Sequence, residues 1–446
     1  GHSPYQPLSV FAGNPLLIDL GDLVELELLR AEDLGASDRL GDRGSVDSRA
    51  VGAVKLPLLE LAADRFAEAG DAELEKEYER FCADNDRTWL DAFAAFCLLK
   101  SQHGSAPWSD WGIDFRTLDI PNLAERQPKR WQRIKRIQFL FARQWRALRA
   151  EAAARDIVLF GDVPIYMSLD CAEAWAHPDL LNLDANGAPL DVAGVPPDYF
   201  SADGQLWGNP TYRWDAHAAD GYRWWVARLT HALEQADLVR LDHFRAFESY
   251  WSVPADAETA RDGQWRAGPG RALFDALRDA IGSAPLVAED LGLITDEVRA
   301  LRQVLGLPGM QVLQFLVDQP QFSIEWIEEN CICYTGTHDN DTSEGWYAGS
   351  GGAMAGDALA RWQETVRQNL DQVEQGIHKA MISLAFRSRA RIAIAPLQDY
   401  FGLGSAARFN TPGTARGNWR WRTTEAELNR ADTRYIEDFA AASHRL

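Results

Sequence analysis

Three apolar runs in this chain each end in a carboxylic acid. The first is Val239-Arg240-Leu241-Asp242-His243-Phe244-Arg245, where the acid is framed by arginines and a histidine. The second is Pro285-Leu-Val-Ala-Glu289-Asp290-Leu-Gly292, and the third runs from Cys331 through Thr335-Gly-Thr-His338-Asp339-Asn340-Asp341. Acids at the C-terminal ends of strands meet on one face of a (β/α)8 barrel even when they are far apart in sequence. A pair of them is the minimum needed to break a glycosidic bond: one protonates the leaving oxygen and the other meets the positive charge that develops on the sugar carbon.

Asp242 is the candidate nucleophile. Arg240 lies two residues earlier, so strand alternation points both side chains the same way and the guanidinium can orient the carboxylate. A structural ion pair at a barrel rim is the alternative. Glu289 and Asp290 are neighbours on a strand and must face opposite sides, so only one enters a pocket, and spacing does not choose between them. The proton donor must be protonated at the working pH, which calls for burial or a nearby carboxylate. His338 and Asp339 would complete the site, the histidine on sugar hydroxyls and the aspartate on a distorted ring.

Those acids need elements to carry them. From residue 157 short β-rich runs alternate with amphipathic stretches: 157–162, 238–242, 285–289, 310–317, 331–335 and 391–399 as strands, with helical patterns at 222–236, 271–281 and 296–305. Such alternation implies βα units and a parallel sheet. Six strands fall two short of a closed barrel, so the first two are expected to precede residue 1. The span 57–154 reads as an inserted, mainly helical subdomain, with three- and four-residue apolar spacing at 89–99. All 446 residues are expected to form one catalytic barrel domain.

The stretch 194–210 is punctuated by Gly and Pro, which argues against a helix or a central strand, yet it carries Tyr199, Phe200, Gln205, Trp207 and Asn209. Aromatic rings beside amides suit a carbohydrate subsite; a self-packed loop is the alternative. Trp108, Trp111 and Trp419, like Trp207, sit in polar, loop-like contexts among the 17 tryptophans; flat rings suit sugar faces, although most tryptophans in any protein simply pack.

Composition narrows the partners. With 66 acids against 45 bases the net charge is −21, which opposes binding to nucleic acid or to an anionic membrane. The basic cluster from Arg126 to Arg136 sits at helical spacing with apolar residues and reads as a solvated helix face. No apolar run spans a bilayer, and the five scattered cysteines fit a cytoplasmic protein with reduced thiols. Cys331 and Cys333 share a strand face and read as core. The run from Asp339 opens like a calcium loop, but Glu344 stands where the glycine should be, and Gly402-Leu-Gly404 lacks the βαβ unit of a dinucleotide site.

Taken in order, these motifs resemble the 4-α-glucanotransferases, the amylomaltases or disproportionating enzymes of glycoside hydrolase family 77. The resemblance runs through Ser3-Pro-Tyr-Gln6, Phe11 to Pro15, Gly161 to Tyr166, the 194–210 loop, Arg240 to Arg245, Ala288 to Gly292, Gly309-Met310, Thr335 to Thr342, Asn410 and Gly417 to Trp421. It implies a retaining mechanism with Asp242 as nucleophile, Glu289 as acid/base and Asp339 as transition-state stabiliser. It also implies sugar contacts from Tyr5, Asp162, Tyr199, Phe200, Gln205, Trp207, Arg240, His338 and Asn410, with no metal and no organic cofactor. The implied partners are maltooligosaccharides, amylose and starch- or glycogen-derived α-1,4-glucans. His2 and Ala246 depart from the common Asp and Gly of such enzymes. A net α-glucan hydrolase would use the same acids. A glucan-binding protein is the reading from another class, although a pure binder needs no pair such as Asp242 and Glu289.

Overall fold

The structure, a computed structural model, describes residues 3–41, 43–68, 70–197, 201–349, 355–414, 416–432 and 434–445. It is a mixed α/β fold whose contacts divide the chain into two compact units. One holds Gly1–Gly41, Ser48–Leu286 and Asp296–Leu301; the other holds Asp42–Asp47, Val287–Thr295 and Arg302–Leu446.

Ten strands occur among the described residues: β1 (Phe160–Val163), β2 (Asp191–Val195), β3 (Gln205–Pro210), β4 (Leu238–Leu241), β5 (Ser249–Pro254), β6 (Gln264–Ala267), β7 (Leu286–Ala288), β8 (Gly309–Val312), β9 (Cys331–Tyr334) and β10 (Ile392–Ile394). Each of the six expected βα strands is present, shortened to three or four residues. The apolar run after β8 turns into a 3-10 helix at Leu313–Phe315, and the one after β10 into a helix at Leu397–Tyr400.

In the first unit β1 and β4 pair in parallel, Asp162 opposite Arg240 and Val163 opposite Leu241, and the Val239 amide donates to the Pro285 carbonyl at the entry to β7. Val239 and Leu241 are buried, as expected of a parallel strand covered on both faces. A second sheet, antiparallel and not foreseen, runs in the order β3-β2-β5-β6. It corrects the loop reading of 194–210: Gly194 and Val195 end an inner strand, and 205–210 is an edge strand. An edge tolerates Pro210 because its missing N–H is asked to join no further ladder. Gly194 is required here, since a Cβ at that position would stand 2.4 Å from the Gln205 carbonyl oxygen.

The helices Ser48–Phe66, Ala72–Asn85, Asp91–Gln102 and Pro128–Ala153 pack around two apolar clusters, one centred on Phe96, Trp111 and Trp175, the other on Leu59, Phe66, Tyr78 and Phe139. The basic cluster is a solvated face at its start and a seam from Arg133 on. Arg133 pairs with Asp64 at 2.6 Å and Glu60 at 2.9 Å, and holds the Asp64 carboxyl down at about 2. Lys135 is buried between Asp86 and Asp91, while Arg126, Lys129 and Arg130 stay exposed. Trp108 and Trp111 are core residues, their indoles donating to the Leu169 and Ala106 carbonyls. Their sequence context is polar, yet each ring is buried while its N–H reaches a half-buried backbone acceptor.

In the second unit β8, β9 and β10 form a parallel sheet with β9 central. Cys331 and Cys333 lie in its core with Leu313, Met381 and Leu384, and burial pushes both thiols up to about 12. No helix among the described residues is long and apolar enough to cross a membrane.

Candidate active site

In the first unit, candidate residues gather at the C-terminal ends of β1 and β4. Arg240 Nη1 donates to both oxygens of Asp162 at 2.8 Å and lies 2.7 Å from Asp242 Oδ1. One buried guanidinium thus holds two carboxylates, Asp162 exposed and Asp242 half-buried, through the shorter and stronger class of hydrogen bond. The Asp242 amide donates to the Val163 carbonyl at 3.0 Å, which carries the ladder one residue past β4 before the chain turns. The turn is made by His243 with φ +48, a conformation few non-glycine residues adopt and one that often marks a functional site.

The imidazole of His243 meets the Trp207 ring edge-to-face at 4.9 Å, and burial brings its pKa down to about 4, so it is neutral at pH 7. Trp207 also contacts Tyr166 at 6.2 Å, and its indole donates to Gln205 Oε1 at 3.1 Å. Gln205 is exposed and Trp207 half-buried, so an amide and a ring face occupy one edge strand. Asn209 is committed to the Met167 carbonyl at 2.9 Å. Tyr5 is half-buried, its amide donating to Ser3 Oγ at 3.2 Å. Tyr199, Phe200 and His2 lie outside the described residues.

In the second unit, Glu289 and Asp290 follow β7 and have different surroundings. Asp290 pairs with Arg302 at 3.1 Å, accepts from the Met310 amide at 2.8 Å, and is pushed up in pKa chiefly by burial. Gly309 makes room for this clamp, since a Cβ there would stand 1.9 Å from Arg302 Nη1. Glu289 is half-buried, and its Oε1 accepts from the Leu291 amide at 2.9 Å.

Asp339 sits on the turn after β9. Its Oδ1 accepts from Asn410 Nδ2 at 2.6 Å, its Oδ2 lies 3.4 Å from His338 Nε2, and its carbonyl accepts from Arg408 at 2.7 Å. His338 in turn contacts the Trp419 ring at 5.6 Å. Thus the expected His338, Asp339 and Asn410 come together, as do Asp162, Arg240 and Asp242, and Gln205 with Trp207. The motifs assigned no work to Arg408, Tyr166 or the Asp290–Arg302 clamp. Arg408 carried a usable signal, standing two residues before Asn410. The would-be calcium loop is otherwise engaged: Asp341 accepts from Ser405 Oγ at 2.6 Å and Glu344 from His378.

Half-buried carboxylates at strand ends, oriented by arginine and amide donors beside aromatic rings, can serve acid/base and nucleophilic work on a polyhydroxylated substrate. Comparison with known proteins is decisive about the family, because residues 1–428 match the family model described as 4-alpha-glucanotransferase. The chain belongs to the 4-alpha-glucanotransferase family. Within that family it is 43% identical to the 4-alpha-glucanotransferase of Thermus thermophilus over 460 aligned positions, covering 100% of this chain and 89% of the relative. It is 38% identical to the chloroplastic/amyloplastic 4-alpha-glucanotransferase of Solanum tuberosum, covering 100% and 77%. The amylomaltase of Streptococcus agalactiae, solved in complex with acarbose, superposes with a TM-score of 0.91 at 30% identity over 99% of this chain and 89% of that one. Like its relatives in the family, the protein is an enzyme of the glycosyltransferase type.

Proposed function

We propose that the protein transfers α-1,4-glucan segments between maltooligosaccharides, or from amylose and starch- or glycogen-derived glucans, by a retaining double displacement on a (β/α)8 barrel in the cytoplasm. Asp242 attacks the anomeric carbon as the glycosidic C–O bond breaks, and Glu289 gives its proton to the departing 4-oxygen. The glycosyl-Asp242 ester is then opened by the 4-hydroxyl of an acceptor glucan, whose proton returns to Glu289. Asp339, held by Asn410 and next to His338, stabilises the charged, flattened ring. Asp162, Tyr5, Tyr199, Phe200, Gln205, Trp207 and Arg240 bind the sugars. Exclusion of water beside the aromatic strand favours the acceptor over hydrolysis.

The observation that carries this reading is the Arg240 guanidinium, which orients Asp242 at the end of β4 and leaves it half-buried. The amylomaltase crystallised with acarbose supports an α-glucan as the substrate class. Asp242→Ala is expected to lower maltotriose turnover by about four orders of magnitude or more, as loss of a nucleophile does elsewhere. Maltotriose binding, followed by calorimetry, should persist. Turnover unchanged in the variant would remove Asp242 from the chemistry.

A further inference from the structure

Asp399 is 1% exposed, lies five residues beyond β10, and is used by none of the steps above. Its Oδ2 accepts from Thr335 Oγ1 at 2.6 Å and from Ser343 Oγ at 2.7 Å, and its Oδ1 accepts from the Ser343 amide at 2.7 Å. Thr335 and Ser343 are each 0% exposed and stand at the two ends of the turn that carries His338 and Asp339. A single buried carboxylate therefore ties both ends of that turn.

The same segment supplies three further fastenings of the turn, beside the Gln314 side-chain amide that donates to the Asp341 carbonyl at 2.8 Å. Ser405 holds Asp341, Arg408 holds the Asp339 carbonyl and Asn410 holds its carboxylate. Within the turn, Asn340 Oδ1 accepts from the Thr337 amide and hydroxyl, both at 2.9 Å. Three donors converge on Asp399 in a site shielded from water, where each bond is strong and a missing partner is costly. Misplacing a reacting group by about 1 Å can cost about a hundredfold in rate.

We propose that Asp399 is a positioning residue, fixing where the Asp339 carboxylate stands by closing the 335–343 turn onto one buried anchor. The inference rests on the role proposed for Asp339.

The test is a set of double-mutant cycles on maltotriose disproportionation, with Asp399→Asn, Thr335→Val and Ser343→Ala each made alone and with Asp339→Asn. Asp399→Asn should lower kcat about a hundredfold and the two single-bond variants about tenfold, with KM moving less than about threefold. In the Asp339→Asn background the same changes should cost less than about twofold, because their effect passes through Asp339. If Asp399→Asn melts below the assay temperature, the Thr335 and Ser343 variants decide between the outcomes. Wild-type kcat in those variants, or losses of equal size with and without Asp339, would overturn the proposal. Asp339→Asn at wild-type turnover would instead sink the role given to Asp339 itself.

Discussion

Glu289 and Asp290 are adjacent acids with different surroundings. Asp290 is spent on Arg302 and the Met310 amide, and Arg302 also reaches Glu328 at 2.8 Å. Asp290→Ala strands most of that network and should cost about 2 kcal/mol of stability, read as a lower urea midpoint. Glu289→Gln keeps its shape and should leave the midpoint within experimental scatter while abolishing turnover. An Asp290→Ala protein of full stability but no activity would reverse the assignment. Local spacing did not show this difference because the partner of Asp290, Arg302, lies on the following helix, Asp296–Val304. By contrast the Arg240–Asp242 pair was legible, since strand alternation alone puts both side chains on one face.

At the scale of elements, the antiparallel sheet presents Gln205 and Trp207. Gly194→Ala would drive a Cβ toward the Gln205 carbonyl, shift β3, and raise KM for maltotriose about tenfold with kcat little changed, the pattern of weakened uniform binding. Equal kcat and KM in variant and parent would show that β3 does not touch the substrate. The six parallel strands could be read from sequence because buried βα strands are short apolar runs between amphipathic helices. The antiparallel sheet could not be read so easily. All four residues of β6 are exposed, and β3 contains Gly208 and Pro210, so neither shows the alternation of a half-buried strand. The β-rich run Ser249-Tyr-Trp-Ser-Val-Pro254 did carry a usable signal in its aromatic and β-branched residues. Trp108 and Trp111 misled for the opposite reason, a polar neighbourhood in sequence that becomes a core in space.

For the molecule as a whole, one buried and one half-buried histidine shape the response to acid. His217, 0% exposed among Tyr212, Trp214 and Trp224, and His243 are both brought down to about 4, chiefly by burial. In the unfolded chain a histidine titrates near 6.5. Between those values the unfolded state binds the extra protons, so stability is complete above about pH 6.5 and falls as pH drops toward 4. Asp64, held at about 2, loses its contribution only below about pH 3.8, a separate window. Asp290 and Asp399, raised by burial, act in the opposite sense. His217→Leu should therefore flatten the fall in urea midpoint between about pH 6.5 and 4.5. A variant with the parent's slope would show that His217 takes up its proton in the folded state.

Glucan transfer itself is tested most directly by incubating the protein with maltotriose, resolving the products by chromatography and counting reducing ends in parallel. Disproportionation predicts glucose together with oligomers longer than maltotriose at a constant number of reducing ends. A rising count with no longer oligomers would contradict transfer and mark a hydrolase, and no product at all would mark a binder.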